Sequence, residues 1–249
     1  MLARVPSART TLDIDLYRDG LTLDQALADL RRLASTDPGD HFRLEYAGRE
    51  KSIGGEAQHY AEGYVVTFEV LIGARSRGTI NVDLAVGAGL TAPVTTADPA
   101  DALDLPRLIR HDYRLYPVVD QIADKVCATM QTYHDHPSSR EKDLVDLVVL
   151  AVTQNVDGTT LSIAISAEAG RRLMERFDHF TVPVDWGRRY TKLAKPVPYC
   201  VNYPTIDLAR NLVTRIIDPV LADVVGRVAA DASRPGCSPR RPSERPRVP

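Results

Sequence analysis

Two aspartates lie one residue apart in an apolar stretch near the start of the chain. In the sequence TTLDIDL, Asp13 and Asp15 flank Ile14. The alternation is typical of a buried strand, on which both carboxylates point to the same side. Because adjacent buried carboxylates repel each other, the pair favours a bound cation, and Mg²⁺ binds one or two carboxylates together with substrate phosphates. The alternative is a turn leading into YRDG, with no ligand.

A third aspartate occurs in another stretch with strand character. Asp83 lies between Val82 and Leu84 in TINVDLAVG. An Asp-x-Asp strand and a second acidic strand that meet at one point provide the ligands that two-metal phosphoryl transfer requires. The spacing therefore predicts a metal site formed by Asp13, Asp15 and Asp83, although Asp83 on an edge strand without a ligand stays an alternative.

A lysine and two further aspartates belong to two helical segments in the second half of the chain. Lys125 lies beside an apolar stripe, where a lysine either extends its ammonium to solvent or contacts a triphosphate. Asp143 and Asp146 are three residues apart, so a helix places them on one face. Asp143 in a first turn can be a simple partner of the helix dipole, whereas the surroundings of Asp146, between valine and leucine, should be apolar.

The elements that carry these residues follow from hydrophobic periodicity. GLTLDQALADLRRLAS has helical spacing and begins with a capping box of Thr22 and Gln25. Ser138 and Glu141 are predicted to form a second capping box ahead of Asp143. β-branched and aromatic residues between glycines predict strands at 41–48, 63–73 and 78–87, and residues 91–116 read as a connector.

Three regions follow from this pattern. Residues 1–116 form an α/β half, residues 117–230 are mainly helical, and residues 231–249 are a tail rich in proline, arginine and serine that should be disordered. The formal charge of −2 excludes a strongly basic nucleic-acid-binding protein. Three scattered cysteines, no membrane span of about 18 apolar residues and no signal peptide predict a cytoplasmic protein.

Several motifs together resemble the AbiEii/AbiGii nucleotidyltransferase toxins, including the mycobacterial members that modify tRNA. TTLDIDL is followed far downstream by IADKVCA and then by SREKDLVDLVVLA. The later stretches VDWGRRYTKLAK and DLARNLVTRIIDPVLADVV look like the helical region of that family. The resemblance implies an α/β (α+β) chain whose N-terminal half has the nucleotidyltransferase fold with a mixed sheet. The helical half would complete the active-site cleft.

The same resemblance implies roles for the acidic and basic residues. Asp13 and Asp15 match the metal-binding pair of the family, and Lys125 matches its nucleotide-phosphate lysine. Asp143 or Asp146 matches an acidic residue that acts either as general base or as organiser of the lysine. Asp83 as a third ligand rests on its spacing and on analogy with the wider superfamily.

The region before the aspartates both matches and departs from the family. Thr11 falls where related toxins have a hydroxyl residue, which contacts phosphate or is itself modified. The family has a Gly-Gly or Gly-Ser turn upstream that holds phosphates through backbone N–H groups. The 12 residues before Asp13 contain no glycine, so either the chain as given starts at an internal methionine or the turn is lost. Gly54 and Gly55 read as a loop.

The resemblance also implies a reaction. An NMP unit passes from an NTP to a hydroxyl group, with Mg²⁺ or Mn²⁺ bound, and the acceptor is the 3′ end of tRNA, so that translation stops. A cognate antitoxin is the expected protein partner. Two alternatives remain: a degenerate nucleotide- or RNA-binding protein that lost the glycine turn, and an enzyme that transfers NMP to a protein side chain.

Basic residues that could follow an RNA backbone occur in several helical segments and in the tail. Trp186 and Tyr190 beside them are candidates for stacking on bases. A solvated helix face explains each basic run equally well. The basic residues are Arg188, Arg189, Lys192, Lys195, Arg171, Arg172, Arg240 and Arg241.

Overall fold

The computed structural model describes residues 3–9, 14–37, 39, 41–53, 62–87, 89–98, 100, 111–133 and 136–232. Thr11 and Asp13 of the predicted site therefore lie outside the described residues. The loop with Gly54 and Gly55, most of the proline-rich tail, and Arg240 and Arg241 within it, lie outside them as well.

A four-stranded mixed sheet forms most of the N-terminal half. Its strands are β1 (Ile14–Asp19), β2 (Phe42–Ile53), β3 (Glu62–Ile72) and β4 (Arg75–Gly87). Their order in space is β1-β4-β3-β2, in which β1 is parallel to β4 and the other pairs are antiparallel. The mixed sheet and the three strands predicted from hydrophobic pattern are thus confirmed.

Helix α1 (Leu23–Ala34) covers one face of this sheet. Its predicted capping box is confirmed: the Thr22 N–H donates to Gln25 Oε1 at 2.9 Å, and the Gln25 N–H donates to Thr22 Oγ1 at 3.3 Å. The apolar face of α1 packs on alternate residues of β3 and β4, as strand geometry requires. This small core consists of Leu23, Ala26, Leu27, Tyr64, Val66, Phe68, Val82 and Leu84.

The expectation that β1 is a buried strand is wrong. Ile14 is 46% exposed and Leu16 is 38% exposed, and Asp15 between them is exposed too. The reason is topological, because β1 is an edge strand with a single neighbour, while α1 packs against β2, β3 and β4. Water therefore screens the charge of Asp15 from neighbouring carboxylates. Charged residues on an edge strand also discourage its pairing with strands of other chains.

The second half of the described chain is mainly helical, as predicted. Residues 91–116 include a pair of short antiparallel strands. A second antiparallel pair, with two residues in each strand, lies between the first two helices of this half. No helix of the described residues is both long and apolar enough to span a membrane. The elements are β5 (Thr95–Ala97), β6 (Tyr113–Leu115), α2 (Val118–Met130), β7 (Thr132–Tyr133), β8 (His136–Pro137), α3 (Glu141–Thr153), α4 (Gly158–Arg171), α5 (Gly187–Ala194) and α6 (Ile206–Ala232).

Helix α3 is the centre of the larger core. From Leu144 to Leu150 its residues are at most 2% exposed, and α2, α5 and α6 pack around it. Two residues from the start of the chain, Val5 and Ala8, belong to this helical core rather than to the sheet. The N-terminal segment 3–9 is therefore anchored on the helices, immediately ahead of the strand that carries Asp15.

The start of α3 differs from the prediction. Ser138 and Glu141 do not form a capping box: the helix begins after Arg140, with no side-chain cap. The Ser138 hydroxyl instead donates to the Ala128 carbonyl at 2.7 Å, which ties the entry of α3 to α2. Glu141 is 4% exposed and forms an ion pair with Arg189. Tertiary contacts have replaced a local cap that the spacing alone allowed.

Candidate active site

Lys125 and the two aspartates of α3 meet in the interior. The Lys125 ammonium donates to Asp143 Oδ1 at 3.2 Å and to Asp146 Oδ2 at 2.8 Å. The lysine is 9% exposed, and both aspartates are 1% exposed. The helical face that sequence spacing predicted for Asp143 and Asp146 is confirmed. An ammonium has three hydrogens to donate, and within the described part of the chain the third one has no partner.

Two arginines complete this cluster, and sequence reasoning missed both of them. Arg9 donates from Nε to Asp146 Oδ1 at 3.3 Å and from Nη2 to Asp146 Oδ2 at 3.1 Å. Arg140 donates from Nε to Asp143 Oδ2 at 2.7 Å. Arg140 precedes Asp143 by three residues, so their contact could have been predicted from helical spacing. The contact of Arg9 could not, because Asp146 is distant in sequence. We call Arg9, Lys125, Arg140, Asp143 and Asp146 the lysine cluster.

The lysine cluster carries an excess of positive charge. Three cations face two carboxylates, and each of the four carboxylate oxygens accepts at least one hydrogen bond from a cation. Buried charges are tolerated when they are paired in this way. The described side chains of the cluster therefore carry more positive than negative charge, which favours the binding of an anion.

Opposing effects determine the ionisation of the cluster. Burial favours the neutral amine of Lys125, but the charges of Asp146 and Asp143 outweigh it and raise the pKa of the ammonium. Burial likewise favours the protonated form of Asp143, but Lys125 and Arg140 outweigh it and lower the pKa of that carboxyl. Both groups are therefore charged at neutral pH.

These shifts predict how stability depends on pH. The pKa of Asp143 is lower in the folded protein than the value of about 3.9 in the unfolded chain. Its charge therefore stabilises the fold fully above that unfolded pKa, and this stabilisation is lost as pH falls through the folded pKa. Asp143→Asn should therefore melt at a lower temperature than wild type at pH 6, and this difference should shrink as the pH falls below about 4. Thermal unfolding of both proteins from pH 2 to 7 measures it; a difference that is constant over this range would contradict the assignment.

The acidic residues of the sheet form a second group. Asp15 on β1 and Asp83 on β4 are paired residues of neighbouring parallel strands, so they project from the same face. That face is opposite to Val82 and Leu84, which pack beneath α1. Asp13 lies outside the described residues, and among those that are described no three acidic, histidine or cysteine side chains form a metal site. The predicted trio of Asp13, Asp15 and Asp83 stays a prediction.

The face that carries Asp15 is turned towards the helical half. Tyr17, two residues later on the same face, packs edge-to-face on Tyr116 with the ring centroids 5.6 Å apart. Tyr116 lies just ahead of α2, the helix of Lys125. The Asp120 carboxylate of α2 accepts hydrogen bonds from the N–H groups of Thr91 and Ala92, which follow β4. These contacts attach the carboxylate strands to the start of the lysine helix.

Comparison with known protein families agrees with this arrangement. A family model described as "Nucleotidyl transferase AbiEii toxin, Type IV TA system" matches residues 1–212. The chain belongs to the AbiEii nucleotidyltransferase toxin family. The matched stretch includes the sheet, the lysine cluster and α5, so the resemblance deduced from the motifs is confirmed. A comparison with curated proteins gave no match.

Helix α5 has a polar face that carries most of the predicted RNA-binding residues. Arg188, Arg189, Lys192 and Lys195 are exposed there. Arg189 forms an ion pair with Glu141 at 3.3 Å, so part of its charge is already compensated. The structure therefore leaves RNA binding by Arg188, Arg189 and Lys192 as a prediction.

The proposed stacking of bases on Trp186 and Tyr190 is wrong. Trp186 is 2% exposed and donates its indole N–H to the Ser138 carbonyl, and Tyr190 is fully buried. Arg172 is unsuitable for RNA too, because it is 8% exposed and pairs with Glu168 and Asp124. Trp186 and Tyr190 are therefore core residues of this AbiEii chain.

Tyr190→Phe should lower the free energy of unfolding by about 1 kcal/mol and leave RNA binding unchanged. The Tyr190 hydroxyl donates to the Tyr203 carbonyl at 2.8 Å, and the ring itself does not reach solvent. Urea unfolding and a filter-binding assay with tRNA measure the two quantities. A loss of tRNA binding by a variant of normal stability would restore the stacking role.

Proposed function

We propose that the protein is a metal-dependent nucleotidyltransferase that transfers NMP from an NTP to an RNA acceptor, the 3′ end of tRNA, and thereby blocks translation in the cytoplasm. The family supports nucleotidyl transfer and a role as the toxin of a type IV toxin–antitoxin system. A cognate antitoxin is the partner that such a system implies.

The observation that carries the proposal is the buried ammonium of Lys125. Among the described residues it is held by Asp143 and Asp146, and one of its three hydrogens is left to donate. A buried cation held in a fixed direction is suited to a triphosphate, whose charge it neutralises.

The sheet aspartates fit a divalent cation. Asp15 and Asp83 offer carboxylates from paired positions of neighbouring strands, and carboxylate oxygens are preferred ligands of Mg²⁺ and Mn²⁺. We propose that Asp15, Asp83 and, from its sequence position, Asp13 hold the metal, and that Thr11 contacts a phosphate. A bound metal would supply positive charge at the phosphates that react.

We assign Asp143 and Asp146 to orienting Lys125 rather than to proton abstraction. The lowered pKa of Asp143 makes it a weak base, and both of its oxygens already accept hydrogen bonds from Lys125 and Arg140. Asp146 is occupied in the same way by Lys125 and Arg9. The two carboxylates fix the direction of the ammonium, and pre-organised charge of this kind is the main contribution to phosphoryl-transfer catalysis.

Incubation of the purified protein with each α-labelled NTP, Mg²⁺, and either total tRNA or a protein lysate tests the proposal. Label that appears in tRNA and disappears when the metal is chelated is the expected result. Label in protein would replace the acceptor by a side chain. No label with any of the four nucleotides would leave a degenerate nucleotide- or RNA-binding protein.

A further inference from the structure

We propose that Arg9 is a positioning residue for nucleotide transfer: its bidentate ion pair with Asp146 keeps the Lys125 ammonium available to a triphosphate. The inference deepens the proposed function and rests on it. It starts from one contact, in which Asp146 Oδ2 accepts hydrogen bonds from Lys125 at 2.8 Å and from Arg9 at 3.1 Å. The arginine and the lysine share this oxygen.

The shared oxygen determines how strongly Asp146 holds the lysine. With Arg9 present, both oxygens of the carboxylate have a guanidinium donor. Without it, Lys125 and Arg140 would be the described cations that face Asp143 and Asp146, and the charge of the cluster would fall by one unit. In a buried site such a loss weakens anion binding far more than it would in water.

The position of Arg9 in the chain gives it a second effect. Its segment, residues 3–9, is fixed on the helical half by the buried side chains of Val5 and Ala8, and by Arg4, which donates to the Tyr116 carbonyl at 2.5 Å. The strand of Asp15 begins five residues after Arg9. Arg9 therefore lies close in sequence to the acidic strand and also contacts the carboxylate that orients Lys125.

Arg9→Gln should weaken the binding of inorganic tripolyphosphate, measured by calorimetry in Mg²⁺ buffer, roughly tenfold. It should also raise the KM for NTP by a similar factor, with a smaller change in kcat, because the chemistry itself does not involve Arg9. Arg9→Lys keeps the charge with a poorer fit and should restore part of the binding. Arg4→Gln is the matched control from the same segment: Val5 and Ala8 still hold the segment in the core without the Arg4 hydrogen bond, so this variant should bind tripolyphosphate as wild type does.

A double-mutant cycle with Asp146→Asn separates action through Asp146 from any other effect. Arg9→Gln should have little further effect on tripolyphosphate binding once Asp146 is replaced. Equal losses from Arg9→Gln in both backgrounds, a loss equal to that of Arg4→Gln, or no binding by wild type would each overturn the inference. Thermal melting checks folding, and Arg9→Lys serves if Arg9→Gln does not fold.

Failure of the proposed function gives a different pattern. If wild type transfers no nucleotide to any acceptor, the enzymatic proposal is wrong. Tripolyphosphate binding that still depends on Arg9, and only while Asp146 is present, then supports the role of Arg9 in a phosphate-binding protein.

Discussion

Lys125→Met is expected to lower kcat/KM for nucleotide transfer by about 1000-fold or more, which is the largest single effect that the structure predicts. Methionine has a similar length but offers no charge and no donor to a triphosphate. The same change leaves Asp143 and Asp146, each 1% exposed, with one cation fewer. Removal of one partner of a buried ion pair costs about 3–5 kcal/mol, so unfolding in urea should shift to lower concentration.

Lys142→Met is the matched control for this change. Lys142 is exposed on α3, next to Asp143 in sequence, and it should tolerate methionine in both assays. Because Lys125→Met is expected to destabilise the fold, transfer must be measured at a temperature at which circular dichroism shows the variant to be folded. A folded Lys125→Met that transfers nucleotide at the rate of Lys142→Met would exclude the lysine from the active site.

Asp15→Asn should abolish transfer and leave the unfolding midpoint unchanged. Asp15 is exposed on an edge strand, so stability does not depend on its charge, whereas a metal ligand loses most of its affinity as an amide. Thermal melting, transfer assays and Mn²⁺ binding followed by electron paramagnetic resonance report the three properties. An active variant, or one that unfolds, would contradict the metal-binding role.

Asp19→Asn provides the comparison within the same strand. Asp19 lies four residues after Asp15, is also exposed, and accepts a hydrogen bond from the Gly89 N–H at 3.1 Å. The asparagine carbonyl can still accept that bond. Transfer and Mn²⁺ binding should therefore resemble wild type, and a loss equal to that of Asp15→Asn would indicate a general effect of charge on β1.

Much of the secondary structure could be predicted because its signals are local. The Thr22–Gln25 capping box and the alternation along β3 and β4 involve residues close in sequence, and the structure confirms them. The exposure of Ile14 could not be predicted, because it depends on which strand lies at the edge of the sheet. Edge position is a property of the whole topology.

In the candidate site, too, local features could be predicted from the sequence and contacts between distant residues could not. The shared helical face of Asp143 and Asp146 followed from helical spacing, and the burial of Asp146 agrees with its apolar neighbours in sequence, but its carboxylate is bound by the charged side chains of Lys125 and Arg9. Arg9 was missed because its partner lies 137 residues away. The stacking role of Tyr190 failed because a tyrosine beside arginines looks the same in sequence whether it is buried or exposed.

The anchoring of residues 3–9 on the helical half has a consequence during synthesis on the ribosome. Asp146 leaves the ribosome 137 residues after Arg9, which takes on the order of ten seconds at typical elongation rates. In the interval the acidic strand lacks its anchor, and Lys125 lacks its carboxylates. A nascent copy therefore cannot complete the lysine cluster until Asp146 has been translated, 137 residues after Arg9.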